Sequence, residues 1–300
     1  MKVLVCDSIS KDAVKGLKDL GVEVIEKTSI EKDELMREIA NYDGVIVRSR
    51  TKIRKDIIGS ARGNLKFIVR AGVGLDNVDV DYAREKGIDV MNTPEASTNG
   101  VAELAIGHML SLLRRIPRGT SSMKRGEWIK KELVGNELGG RTVGVIGMGR
   151  IGKRTAELAL GFGSKLLGYD PYVDKVEGLD VEMTSLDDLF SRSDIVTLHI
   201  PHVDETHHLI GKEALEKMKD NAILINCARG GVVDEEALYD ALKNGVIAGA
   251  ALDVFEEEPP KGSKLLELDN FNCTPHLGAQ AVEAKNRVGE QVVKKVASKL

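Results

Sequence analysis

The sequence predicts an α/β protein built from two Rossmann-like, parallel-sheet domains, the first of them flavodoxin-like. Short apolar runs alternate with amphipathic stretches from the first residues onward, which is the rhythm of strand and crossover helix. That rhythm stops near Pro94 and restarts at Arg141 with its own glycine-rich turn. With 300 residues and 42% hydrophobic content, the chain can bury two cores of ordinary size.

Strands are expected at residues 3–6, 22–25, 45–47, 67–69 and 90–91 in the first domain, each followed by a polar or amphipathic segment. A polar turn after Pro94 leads into residues 101–113, a segment apolar on all sides and therefore expected to be a buried helix between domains or subunits. The second domain is expected to place strands at 142–146, 165–169, 195–199, 222–226, 249–252 and 272–273. Residues 282–300 have helical spacing with many charges and are expected to return to the N-terminal domain. The resulting division is 1–95 with 282–300, and 96–281.

Between the apolar run 142–146 and a helical pattern carried by Ile151, Thr155, Leu158, Ala159 and Phe162 lies Gly147-Met148-Gly149-Arg150-Ile151-Gly152. Asp170 closes the next strand, about 20 residues further on. Strand, glycine turn, helix and acid form the dinucleotide-binding fingerprint: a tight turn, bare backbone for a pyrophosphate, and a carboxylate for ribose hydroxyls. A free 2′-hydroxyl suits that acid and a 2′-phosphate does not, so the expected cofactor is NAD. Because the fingerprint opens the second domain, the first is expected to hold substrate, with the site in the cleft between them.

The formal charge of −4 offers no basic footprint for nucleic acid, and no apolar run approaches a membrane span. A soluble, cytoplasmic protein is expected, with no metal site. Cys6, Cys227 and Cys273 lie in apolar stretches without metal-ligand spacing and are expected to be buried thiols.

Three polar residues follow the later strands, where open α/β sheets bind ligands: Arg229, Glu258 and His276. A guanidinium suits a carboxylate, an imidazole suits proton transfer, and a carboxylate can orient and charge that imidazole. No nucleophile accompanies them, which suits hydride transfer. Among the other histidines, His108 is expected to be packed in the apolar helix, His202, His207 and His208 to lie in a polar loop, and His199 to border the cofactor. In the first domain, Arg70-Ala71-Gly72-Val73-Gly74 ends a strand with a possible anion-binding nest, and Arg48 ends the neighbouring strand. Two arginines and a nest suit a small substrate with two anionic groups. Asn99 and Glu103 can serve equally as helix caps or ligands.

With these motifs in order, the chain resembles the D-isomer-specific 2-hydroxyacid dehydrogenases, and within them the phosphoglycerate-oxidising branch. The resemblance runs nearly end to end, through Val47-Arg48-Ser49, the 70–77 segment, Met91-Asn92-Thr93-Pro94, the glycine fingerprint, Asn226-Cys227-Ala228-Arg229-Gly230-Gly231, Ala251-Leu252-Asp253-Val254-Phe255 and Pro275-His276-Leu277-Gly278. It implies that Arg229 grips the substrate carboxylate and that His276, paired to Glu258, exchanges the hydroxyl proton. It implies cofactor contacts at Val73, Gly147, Gly149, Arg150, Ile151, Gly152, Asp170, Ile200, Cys227, Asp253, His276, Leu277, Gly278 and Ala279. Substrate contacts are implied at Arg48, Arg70, Gly72, Val73, Gly74 and Arg229, the arginines at 48 and 70 taking a phosphate end.

The resemblance also implies a homodimer through the helix beginning at Val101. Many relatives append a serine-binding regulatory domain after this catalytic module, and feedback by serine through one is not expected here. Val73 and Ile200 stand where some relatives carry hydroxyl residues, with little expected consequence for contacts made by backbone. The alternatives are a glyoxylate or hydroxypyruvate reductase of the same family and, from a different class, an NAD-sensing protein resembling corepressors of this fold.

Overall fold

The computed structural model describes residues 1–300. The chain divides into two compact units, Met1–Thr98 with Ala279–Leu300, and Asn99–Gly278. These bounds fall three residues from those expected at 95 and 281, because the turn ending at Gly278 is hydrogen-bonded into the second unit.

Unit 1 alternates β1 (Lys2–Val5), α1 (Lys11–Asp19), β2 (Glu23–Glu26), α2 (Lys32–Glu38), β3 (Gly44–Val47), α3 (Lys55–Ser60), β4 (Phe67–Arg70), α4 (Val80–Glu85) and β5 (Asp89–Asn92). The five strands are all parallel in the order β2-β1-β3-β4-β5, the flavodoxin-like order. Alternate side chains supply two cores: Leu4, Val45, Val47 and Ile68 on one face, Val3, Val5, Ile46, Phe67 and Val69 on the other. The second face is covered by Val288, Val292 and Val296 of the C-terminal helix (Val282–Ala297). Gly44 is obligatory in this layer, since a Cβ there would lie 2.1 Å from the Phe67 ring.

Unit 2 is entered in the first turn of α5 (Thr98–Leu113), passes through α6 (Ile116–Lys124), and continues with β6 (Thr142–Ile146), α7 (Arg150–Gly161), β7 (Lys165–Tyr169), β8 (Glu182–Met183), α8 (Leu186–Arg192), β9 (Ile195–Leu198), α9 (Lys212–Lys217), β10 (Ile223–Asn226), α10 (Glu235–Lys243), β11 (Gly249–Leu252) and β12 (Phe271–Cys273). Its seven parallel strands run in the order β12-β11-β10-β9-β6-β7-β8. The chain reverses direction of growth between β6 and β9, so their carboxyl ends diverge at a topological switch point. β9, β10 and β11 are buried at every residue, as strands covered on both faces must be.

Four features differ from the sequence expectation. α6 carries too few apolar residues to show periodicity, and only Ser122 is buried on it; Pro117 in its first turn fits a helix start. β8 is a two-residue edge strand. Cys6 and Cys227 are buried, but Cys273 is exposed, because β12 is the edge strand of its sheet. α5 buries Val101, Ala102, Ala105, Ile106, His108, Met109 and Leu113 while Glu103 and Gly107 face outward, so one side of this apolar helix remains open.

Candidate active site

At the end of β6, Gly147 takes φ +93, a conformation that suits glycine, and its N–H donates to the Tyr169 carbonyl at 2.8 Å. A Cβ on Gly147 would meet Ile200 Cγ2 at 2.7 Å, and one on Gly152 would meet the Gly147 carbonyl oxygen at 1.8 Å. These two glycines therefore let strand, turn and helix close on one another. Gly149, the residue before α7, is different: nothing lies within 4 Å of its absent Cβ. Its open backbone and the unpaired first N–H groups of α7 suit an approaching pyrophosphate. Asp170 receives Met148 N–H at 2.8 Å on one carboxylate oxygen and Tyr172 N–H at 2.9 Å on the other. Each oxygen keeps a lone pair for a ribose hydroxyl, so these residues fit a dinucleotide.

The ends of β10, β11 and β12 carry the proposed chemistry. Asn226, 1% exposed, accepts from Ala228 N–H and donates to the Arg229 carbonyl, each at 2.9 Å, which folds the loop bearing Arg229 back on its strand. Gly230 allows that loop to touch the next, since a Cβ there would lie 1.8 Å from the Phe255 carbonyl oxygen. Beyond β12, His276 adopts φ +53, an uncommon backbone state for a non-glycine residue and one that recurs at functional sites. Its Nδ1 lies 2.9 Å from Glu258 Oε2. A carboxylate only accepts, so Nδ1 carries the hydrogen and Nε2 is left as the basic nitrogen.

Burial alone would raise the Glu258 carboxyl. The bond from His276, the charge of that imidazole, the Phe255 N–H and the charge of Arg229 together outweigh it and hold Glu258 below the usual carboxylate range. Arg229, Glu258 and His276 thus form one electrostatic group within unit 2. Leu277 and Gly278 lie on the same turn, and Cys227 is buried at the end of β10, where desolvation pushes its thiol up.

Asp253 was expected among the cofactor contacts. Its side chain is only 1% exposed and is occupied by Thr274 Oγ1 and by the N–H groups of Leu277 at 2.6 Å and Gly278 at 2.9 Å. Through these bonds Asp253 shapes the His276 turn. His199 follows β9, with Nε2 3.0 Å from Thr197 Oγ1, and desolvation presses its pKa down to about 3, so it stays neutral. His202, His207 and His208 gather on an exposed loop, where His208 Nε2 meets Glu256 at 3.0 Å. Asn99 and Glu103 cap nothing: Asn99 donates to Glu103 and accepts from Arg154 Nε at 2.9 Å, tying α5 to α7.

In unit 1, the ends of β3 and β4 bring Arg48, Ser49, Arg70, Gly72, Val73 and Gly74 together. Arg70 Nη2 donates to Ser49 Oγ at 3.0 Å, and its guanidinium occupies the space over Gly72, where a Cβ would be 1.5 Å from Nη1. Sequence reasoning missed the support beneath this loop. Buried Asp7 accepts from Arg48 N–H at 2.6 Å, Thr51 N–H at 3.1 Å, Thr51 Oγ1 at 2.8 Å and Arg50 Nε at 3.1 Å, while Asn77 donates to the carbonyls of Arg48 and Thr51. No local motif marks Asp7, because its partners lie more than 40 residues away.

Comparison with known proteins settles the family. A model of the D-isomer-specific 2-hydroxyacid dehydrogenase NAD-binding domain matches residues 106–278. The chain belongs to the D-isomer-specific 2-hydroxyacid dehydrogenases, and its second unit is their NAD-binding domain. It is 50% identical over 299 residues to the D-3-phosphoglycerate dehydrogenase of Methanocaldococcus jannaschii, covering 99% of this chain and 57% of that protein. It is 49% identical over 304 residues to the hydroxypyruvate reductase of Thermotoga maritima, covering 100% and 98% respectively. The D-lactate dehydrogenase of Aquifex aeolicus, solved with NAD and lactic acid, superposes with a TM-score of 0.85 at 34% identity, covering 99% of this chain and 94% of that one. The chain therefore spans little more than half of the phosphoglycerate dehydrogenase, but nearly all of the hydroxypyruvate reductase. No helix is long and apolar enough to cross a membrane.

Proposed function

We propose that this dehydrogenase oxidises 3-phospho-D-glycerate to 3-phosphohydroxypyruvate with NAD, the entry reaction to L-serine. The observation that carries the dehydrogenase chemistry is the Arg229, Glu258 and His276 group, whose hydrogen bond leaves His276 Nε2 as the base. NAD supplies the hydride acceptor when bound. Arg229 holds the substrate carboxylate and orients the C2 carbon. His276 takes the C2 hydroxyl proton at Nε2 during oxidation and returns it during reduction, and Glu258 stabilises the imidazolium between these steps. Arg48 and Arg70 are assigned to the phosphate, supported by the Arg70 guanidinium laid on Gly72 beside Ser49.

A second reading, reduction of hydroxypyruvate, is favoured by the relative matched over 98% of its own length. A substrate panel with absorbance at 340 nm separates the two. Phosphoglycerate should give the highest kcat/KM, and Arg48→Ala or Arg70→Ala should raise its KM by roughly tenfold or more while leaving hydroxypyruvate within about twofold. Equal losses on both acids would remove the phosphate assignment.

A homodimer is also proposed. Its support is the segment following α5, where Ile116, Met123, Trp128 and Val134 are each at least 51% exposed. Light scattering should report twice the chain mass, and Trp128→Asp should shift the equilibrium to monomer. A cytoplasmic setting is proposed on three cysteines that form no disulfide.

A further inference from the structure

Buried beneath the His276 turn, α5 contributes a side chain that the proposed chemistry does not use. His108, 5% exposed, places Nε2 3.0 Å from Thr274 Oγ1, and that hydroxyl in turn bonds Asp253 Oδ1. The direction of each bond follows from the groups. A carboxylate only accepts, so the single Thr274 hydroxyl proton goes to Asp253. Thr274 oxygen must then accept from His108, which requires a hydrogen on Nε2, as the neutral Nε2–H tautomer provides. Burial favours that neutral form, the charge of Asp253 opposing it.

Asp253 collects what this chain of bonds aligns. Its Oδ1 also receives Leu277 N–H, its Oδ2 receives Gly278 N–H, and its backbone carbonyl receives His276 N–H at 2.9 Å. Three consecutive N–H groups are thus drawn onto one residue, and the φ +53 at His276 is held by them. A Thr274 hydroxyl free to rotate could turn away from Asp253; with His108 donating to it, only one orientation satisfies all three groups.

We propose that His108 is a positioning residue for the acid–base histidine, acting through Thr274 and Asp253 to hold His276 against Glu258. The inference rests on His276 being the acid–base residue, but the hydrogen-bond chain itself can be read without turnover. The spacing of 166 residues between His108 and Thr274 explains why no local motif discloses it.

The test combines a spectroscopic and a kinetic arm on the full chain. Imidazole ¹⁵N and ¹³C shifts should show His108 as the Nε2–H tautomer in the wild type, and Thr274→Val should perturb that signal. In turnover, measured on whichever D-2-hydroxy acid the wild type uses best, His108→Leu should lower kcat by roughly three- to tenfold. KM for NAD should stay within about twofold, and His108→Gln, which keeps an N–H donor near the same place, should recover most of the loss. In a Thr274→Val background, His108→Leu should add less than about twofold, because the shared path is already cut. Should His108→Leu fail to fold, the Gln and Thr274→Val variants and the shifts carry the test. An Nδ1–H tautomer, an unchanged kcat in His108→Leu, a Gln variant as poor as Leu, or fully additive losses with Thr274→Val would each overturn the proposal. Wild-type protein silent on every acid, with the expected tautomer present, would instead count against the dehydrogenase reading.

Discussion

Two glycine-bearing strand ends, one in each unit, use the same local device for opposite ends. After β6, Gly149 leaves open space at the start of the twelve-residue helix α7, and that emptiness is what a dinucleotide needs. After β4, the space over Gly72 is already filled by the chain's own Arg70 guanidinium, and no helix begins until Val80. A glycine can therefore admit a ligand to the backbone or seat a charged side chain there. The helix that follows Gly149 is legible in the sequence, whereas the guanidinium seated over Gly72 is seen only in the neighbouring atoms.

On the proposed function, cofactor and proton chemistry fall to unit 2 and anion selection to unit 1, and that division can be broken at several points. The largest effect is expected from His276→Asn, which keeps a polar side chain but removes the base: kcat should fall by roughly 10²–10⁴-fold with NAD affinity nearly unchanged. Steady-state turnover with fluorescence titration of NADH checks both halves. Retained turnover would take His276 out of proton transfer.

Next in size is Gly152→Val. Its Cβ would fall 1.8 Å from the Gly147 carbonyl oxygen, so α7 must move off its strand. KM for NAD should rise by roughly tenfold or more. If affinity for NADH stays at the wild-type level, close packing of α7 is not what builds the site.

A smaller and more selective loss is expected from Gly72→Ala, at φ +154, where the new methyl displaces Arg70. KM for phosphoglycerate should rise by roughly three- to tenfold, and KM for glyoxylate or hydroxypyruvate should stay within about twofold. Equal effects on phosphorylated and unphosphorylated acids would show that the Arg70 arrangement does not read phosphate.

The smallest effect sharpens the energetic side of unit 2. His199 and His108 are held neutral by burial, His199 down to about 3, whereas an unfolded histidine titrates near 6.5. Between those values the unfolded chain binds more protons, so this contribution is complete above about pH 6.5 and is lost as pH falls through the interval. Melting at pH 5 should therefore occur a few degrees, roughly, below melting at pH 7.5, and His199→Gln should narrow that gap. An unaltered gap would assign the acid sensitivity to other groups.

How far the site was legible depends on where each residue finds its partners. The fingerprint was legible because turn, strand and helix are contiguous, and Arg229, Glu258 and His276 because each follows an apolar run that had to be a strand. Asp7, Thr274 and His108 gave no comparable signal. The partners of Asp7 lie 41 or more residues away and His108 and Thr274 are 166 residues apart, and only a folded sheet brings such positions together. Cys273 was misjudged for a related reason: apolar neighbours mark a strand, but not whether that strand lies at the middle or the edge of its sheet.

The sequence by itself determined the two parallel sheets, because alternation of apolar runs with amphipathic helices leaves few other ways to bury them, and it determined the dinucleotide turn, because glycine spacing acts over a few bonds. Tertiary structure decided which strand stands beside which, that Asp253 shapes the His276 turn from within, and that Arg70 rests on Gly72. Those outcomes depend on contacts between distant segments, whose geometry exists only once the cores have closed.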